Sequence, residues 1–192
     1  MHRKSNKRLQ QIEKTVARLF ASKGYRSTSM REIAGELGMT QSSLYYYFKG
    51  KEEILFKLMN DAMDDALEAM EQIFSADSPP EEKLVQMLNF YTRYYAGDQD
   101  REILLLNEMS SLSEPNRRIL IEKQRRYIQL FYDILAELQN LGRLKEIHPS
   151  VATFAFFGMV HYTVKWYRKD GPVGLGELAD MFVEIFTRGI LL

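Results

Sequence analysis

Between Leu9 and Phe48 the apolar residues recur at spacings of three and four, and glycine interrupts the recurrence at Gly24 and again at Gly38. Such spacing marks one face of a 3.6-residue helix, and glycine is the residue that turns the chain through left-handed backbone at no steric cost. A chain written this way folds into short helices joined by tight turns. The first helix is predicted over 7–23, with Leu9, Ile12, Val16, Leu19 and Phe20 on one face and Gly24 as its C-terminal stop. Ser29 stands where an N-cap belongs and Glu32 follows three residues later, a capping box for a second helix over 30–37. Gly38 ends that helix, Thr40 caps a third over 41–48, and Lys49-Gly50-Lys51 breaks the chain again.

The rest keeps the helical period. A fourth helix is predicted over 52–74, apolar along Ile54, Leu58, Met63 and Met70 and acidic along Asp61, Asp65 and Glu68. Asp77-Ser78-Pro79-Pro80 reads as a loop. Helices over 81–95, 101–111 and 114–141 follow, the last stopped by Gly142. His148-Pro149-Ser150 opens a helix to 168, Asp170-Gly171-Pro172 is a turn, and a final helix covers 176–190. No stretch alternates apolar and polar as a half-buried strand does. The expected fold is all-α with about nine helices: an N-terminal three-helix, helix-turn-helix domain over 1–51 and a helical body over 52–192.

A formal charge of zero conceals an asymmetry. Residues 1–51 hold eleven Lys or Arg against three Glu, a net +8, so the remainder carries −8. A basic end on an acidic body concentrates attraction for a polyanion in one place. The chain has no cysteine, which excludes disulfides, thiolate metal sites and thiol nucleophiles. No apolar run is long enough to span a bilayer, and the basic first residues lead into no signal-like apolar stretch. A cytoplasmic protein is expected. With three histidines, no Gly-rich phosphate loop and no nucleophile elbow, an enzyme is not expected.

The segment 29–48 carries the chemistry. Two short helices about a glycine turn form a helix-turn-helix, with small Ala34 at the crossing and Ile33, Leu37, Leu44 and Phe48 facing the shared core. Gln41, Ser42, Ser43, Tyr45, Tyr46 and in part Tyr47 are left on the outer face of the third helix. An uncharged, hydrogen-bonding face of this kind suits a major-groove reader. The run "SMREIAGELGMTQSSLYYYFKGKEEIL", preceded by "LFASKGYRST", resembles the DNA-binding domain of the tetracycline-repressor (TetR) family over residues 15–55. That resemblance implies a dimeric repressor of a palindromic double-stranded DNA operator, released by a small effector. It puts Gln41, Ser42 and Tyr46 at base edges and Arg31 at a guanine, with Ser29, Ser43, Tyr45, Tyr47 and Lys51 at phosphates and Thr40 as the cap beside them. The basic tail ahead of the first helix is expected to be unstructured, with Arg3, Lys4, Lys7 or Arg8 available to a minor groove.

The body offers Met63, Met87, Phe90, Tyr91, Tyr94, Met109, Tyr127, Phe131, Phe157, His161 and Tyr162 as candidates to line a malleable apolar effector pocket. At helical spacing each is equally readable as plain core. His161 has no second histidine placed to share a metal, so no metal and no cofactor is expected. The last two helices are apolar on more than one side, as a homodimer interface requires. The stretch "VKWYRKDGPVGLGELADMFVEIFTRGI" resembles the TetR subset that answers to fatty acyl-CoA esters. By that likeness Arg101, Arg117, Arg118, Lys123, Arg125 and Arg126 include candidates for CoA phosphates, against the alternative of a solvated face. A regulator without inducer and a helical lipid carrier remain as alternatives; a carrier has no use for an outward Gln41–Tyr47 face.

Overall fold

A computed structural model describes the backbone of residues 2–192 and the side chains from Arg8 onward. Ten α-helices follow in order: α1 His2–Lys23, α2 Met30–Glu36, α3 Gln41–Tyr47, α4 Lys51–Ser75, α5 Pro80–Gly97, α6 Gln99–Asn107, α7 Glu114–Asn140, α8 Pro149–His161, α9 Thr163–Trp166 and α10 Leu175–Ile190. A single 3-10 turn, Met109–Ser111, separates α6 from α7. Among the described residues no strand forms; the one extended contact is a bridge between Leu144 and Leu191. The fold is all-α, as the periodicity requires.

The expected helices differ from these in three places. α1 begins at His2, ahead of its predicted start, and so takes in the backbone of the expected tail. Helix six stops at Asn107 instead of running to 111, and Ser111 then hydrogen-bonds Glu108 through both its backbone and its hydroxyl. The helix predicted over 151–168 breaks at Tyr162 into α8 and the one-turn α9. There the Thr163 hydroxyl donates to the Val160 carbonyl at 2.6 Å, offering that carbonyl a competing partner. Gln99 then donates to the Tyr167 carbonyl at 2.9 Å, closing the turn.

The chain forms two compact units, one comprising the residues up to Ala62 with Asp100–Leu120, the other Met63–Gln99 with Ile121–Leu192. In the first, Ile12, Val16 and Phe20 of α1 are buried with Ile33 and Ala34 of α2 and with Leu44 of α3. The glycine punctuation does its expected work: Gly24 and Gly38 have φ of 87° and 59°. Ser29 and Glu32 complete the capping box, and the Thr40 hydroxyl accepts from the Ser43 N–H.

The first two residues of α4 fasten this unit. Lys51 Nζ donates to the carbonyls of Tyr25 (2.7 Å), Thr28 (2.9 Å) and Arg26 (3.2 Å), closing the loop between α1 and α2. Its ammonium also lies 4.3 Å from the centre of the Tyr25 ring. Glu52 accepts from the Ser113 N–H at 2.8 Å and from the Asn116 amide at 3.1 Å, so a carboxylate caps the positive end of α7.

In the second unit α5 packs on α10 and α8. Gly97 and Gly176 allow the approach, since a Cβ on either meets Leu175 or Arg93 at 3.1 Å. Asn89 of α5 donates to Asp180 of α10 at 2.8 Å. The centre is aromatic: fully buried Tyr91 touches Tyr95, Tyr127, Phe156 and Phe157, and Phe131 stacks on Phe156 at 5.2 Å.

The Ser113 hydrogen bonds, and after them Asn116, hold the Glu52 carboxyl below the usual glutamate range. A depressed folded pKa means its stabilisation is present above the unfolded value of about 4.3 and is lost as pH falls through the folded value. Removing the charge with Glu52→Gln is expected to lower the thermal midpoint at pH 7 and to flatten its fall in acid. Midpoints recorded from pH 7 to 3 check this; parallel curves for the two proteins refute it. Gly38→Ala, which forces a Cβ into left-handed backbone, is expected to cost about 1–2 kcal/mol in chemical denaturation.

Candidate nucleic-acid interface and effector cavity

α3 is seven residues long and makes one buried apolar contact, through Leu44, which is fully buried, with Phe48 just past its end. Apart from half-buried Tyr47, everything else on it faces outward. Gln41, Ser42, Ser43, Tyr45 and Tyr46 are exposed and Tyr47 is half-buried. Tyr46 is 85% exposed and meets the Tyr47 ring edge-on, their centres 5.3 Å apart. An aromatic held this far into solvent gains nothing for the fold, which leaves its hydroxyl and ring for a partner.

The polar groups around α3 divide into those the fold uses and those it leaves over. The Ser43 hydroxyl lies 2.8 Å from that of Thr40, and Ser29 is bound to Glu32, so Ser29, Thr40 and Ser43 each serve a cap. Hydrogen bonds from Ser29, with the Lys23 charge, keep the Glu32 carboxyl below its usual range. Arg18 takes Glu36 at 2.5 Å. Both glutamates of α2 are thus occupied, and the Arg31 side chain makes no ion pair or hydrogen bond among the described residues. Gln41, Ser42, Tyr45 and Tyr46 make no side-chain hydrogen bond among them either. Arg31, Gln41, Ser42, Tyr45 and Tyr46 are therefore presented unspent.

Two sequence expectations meet a different geometry. Lys51 directs its ammonium at three carbonyls inside its own unit rather than outward. Arg8 donates to Gln11 and to the Leu37 carbonyl, which ties α1 to the end of α2. The side chains of Arg3, Lys4 and Lys7 lie outside the described residues.

In the second unit a cavity of about 270 Å³ lies between α7 and α8. Gln124, Tyr127 and Ile128 line it from α7, and Phe154, Phe157, Gly158 and His161 from α8. Both sets follow helical i, i+3, i+4 spacing, so two facing stripes make the walls. Tyr127, Phe157 and His161 were expected there; Gln124, Ile128 and Gly158 were not. Met63, Met87, Tyr91 and Phe131 are buried in the core and do not line this cavity. Tyr91 stands behind it, its hydroxyl 3.4 Å from His161 Nε2, long for a hydrogen bond. Phe90 stacks on Tyr94, whose hydroxyl donates to Asp65, and Tyr162 is 65% exposed. Met109 belongs to the other unit. No group of residues among those described is arranged to hold a metal.

The basic residues of α7 separate in the same way. Lys123 pairs with Asp64, Arg126 with Glu71 and Arg118 with Glu114. Arg125 is exposed and makes no ion pair among the described residues; it lies one helical turn before Ile128. α8 keeps Ala152, Thr153, Phe156, Phe157 and Val160 inside, yet its opposite stripe is also apolar and open: Val151, Phe154, Ala155, Gly158 and Tyr162. Met181 and Ile185 of α10 are exposed likewise.

A capped reading helix presented from a basic three-helix core, followed by a helical unit of its own, defines a DNA-binding regulator of the helix-turn-helix class. The chain belongs to the TetR family of bacterial transcriptional regulators. Residues 14–58 match the model described as bacterial regulatory proteins, tetR family, and residues 77–190 match that of the tetracyclin repressor-like C-terminal domain. It is similar to a TetR-family transcriptional regulator from Bordetella parapertussis 12822, at 32% identity over 92% of each chain with a TM-score of 0.82. The fatty acid metabolism regulator protein of Bacillus subtilis (strain 168) is 28% identical over 99% of this chain and 98% of its own. AibR, solved with isovaleryl coenzyme A and operator DNA, is 29% identical over 93% of this chain and 97% of that one, with a TM-score of 0.81. No helix among the described residues is long and apolar enough to cross a membrane.

Truncating the unspent side chains tests the interface. Tyr46→Ala and Arg31→Ala are each expected to weaken specific DNA binding by about 1–3 kcal/mol, roughly 5- to 150-fold, with thermal stability within about 1 °C of wild type. Fluorescence anisotropy and thermal scans on the same preparations check both halves; loss of stability alongside affinity would assign these residues to the fold instead.

Proposed function

We propose that this regulator is a dimeric repressor of a palindromic operator, released by a small acyl ester such as an acyl-CoA that seats its apolar part between α7 and α8. The observation that carries the effector reading is the cavity itself: apolar walls with two polar groups, Gln124 and His161. Arg125 is the α7 cation of that unit left for a phosphate or other anionic head. AibR was solved with an acyl-CoA, and the B. subtilis relative is named for fatty acid metabolism, which supports the same class of ligand.

In this reading residues 1–51 read DNA and 52–192 carry the effector and dimer functions. Gln41, Ser42 and Tyr46 meet base edges in the major groove and Arg31 a guanine. Ser29, Thr40, Ser43, Tyr45 and Tyr47 rest against phosphates, where hydroxyls and helix N-termini fix register. Lys51 acts one step behind them, holding the loop that positions α2. Two copies join through the uncovered apolar stripes of α8 and α10, giving an isologous interface. The paired reading helices then stand about 34–36 Å apart, the separation of successive major grooves. The site of action is the cytoplasm, where the operator lies.

Release works by population shift. A ligand that favours the body conformation incompatible with operator spacing needs only a differential affinity of about 1–3 kcal/mol. The test is an anisotropy titration of labelled DNA from upstream of the regulator's own gene, at several salt concentrations, with and without acyl-CoA esters. Tight binding that falls steeply with salt and is released by one ester is the expected result. Binding that no acyl ester releases, with none bound by calorimetry, removes the effector assignment and leaves the DNA reader standing.

A further inference from the structure

We infer that the effector site is length-limited: it accepts acyl groups up to about eight carbons and excludes the twelve- to eighteen-carbon chains of membrane lipids. The inference rests on the acyl-ester reading above and adds to it the size of the group recognised.

The limit follows from volume and from what closes the cavity. At about 30 Å³ per non-hydrogen atom, the share of one water in the liquid, a cavity of about 270 Å³ holds roughly nine such atoms. That is an acyl group of about eight carbons with its carbonyl oxygen. A palmitoyl group has nearly twice as many, and the extra atoms need somewhere to go.

The inner wall offers no room. Tyr127 and Phe157 meet across the cavity with ring centres 5.9 Å apart. Tyr91, fully buried, backs both, at 5.8 Å from Tyr127 and 4.9 Å from Phe157. Behind Phe157, Phe131 and Phe156 stack at 5.2 Å and Phe186 of α10 closes on Phe156 at 5.5 Å. A longer chain running inward from Gln124 or His161 has to displace the close-packed centre of the unit rather than a surface side chain. The polar groups agree with a short ligand. His161 and Gln124 both line the cavity, so a carbonyl bonded to either leaves only the aromatic side of a single cavity for the acyl tail. At the α7 edge Gln124 and Ile128 are only half-buried and Arg125 between them is exposed, so the cavity reaches the surface there, away from the stripe a second copy is proposed to cover, and the bulky remainder of an ester can stay outside.

The experiment is calorimetric titration of the full-length protein with a series of straight-chain acyl-CoA esters from four to sixteen carbons, in parallel with release of labelled operator DNA. Affinity is expected to rise about fourfold per added methylene, the usual gain for burying one, to a maximum near eight carbons. It is then expected to fall at least tenfold by twelve. Phe157→Leu, which removes three non-hydrogen atoms from the inner wall, is expected to move the maximum up by about three carbons. An affinity that keeps rising through sixteen carbons overturns the length limit while leaving the acyl-ester reading intact. Binding at no length overturns that reading, and the limit falls with it. The wild-type series decides between these outcomes even if the variant fails to fold.

Discussion

A helix of seven residues has no stability of its own in water, because the cost of nucleation is never recovered over two turns. α3 is such a helix, and it is the surface proposed to read DNA. Its shape is imposed from outside: a threonine cap at one end, Leu44 inserted into the core, Phe48 buried just after its last residue, and a left-handed glycine ahead of it. The same holds for α2, which a reciprocal serine–glutamate box starts and Ile33 and Ala34 bury. The remainder of that unit is best understood as the apparatus that keeps two marginal helices in register. The side chains left over by that apparatus are the ones proposed to meet DNA.

This division explains how far the sequence could be read. Caps and left-handed glycines are local signals, written within four residues of the place they act. Ser29, Thr40, Gly24 and Gly38 were therefore legible, and so was the outward face of α3. Features decided by contacts far apart in the chain were not. Lys51 sits among basic residues and reads as one more phosphate ligand, but its partners are carbonyls more than twenty residues earlier. The break at Tyr162 depends on a threonine hydroxyl competing for a carbonyl and on Gln99 from another helix, while the apolar periodicity runs through it undisturbed. The cavity was half legible. Tyr127, Phe157 and His161 carry the chemistry of a pocket, whereas Gln124 and Ile128 look like any helix face until α8 is laid opposite them. Core methionines such as Met63 and Met87 illustrate the converse, since residue type alone cannot separate a filled position from a lining one.

α8 serves two neighbours with one sequence. Its inner stripe fills the aromatic centre, its outer stripe is apolar and open, and Phe154 and Gly158 belong to both the outer stripe and the cavity wall. Such a helix carries no amphipathic signature, and a fully buried helix would look the same in sequence. The arrangement puts the ligand-sized space against the surface a second copy is proposed to cover, so occupancy of one bears directly on the packing of the other.

The pair Lys51 and Glu52 also sets the terms on which this molecule can be taken apart. A linear reading suggests cutting after Lys51 and joining the front piece to another body. Yet Glu52, the next residue along, grips Ser113 and Asn116, while Asp100–Leu120 folds with the residues up to Ala62. A front piece cut at that point keeps the Lys51 contacts but loses Glu52, the helix end it caps and the rest of Asp100–Leu120, which are part of its own unit. The exchangeable module is discontinuous: two stretches of chain that must be transplanted together.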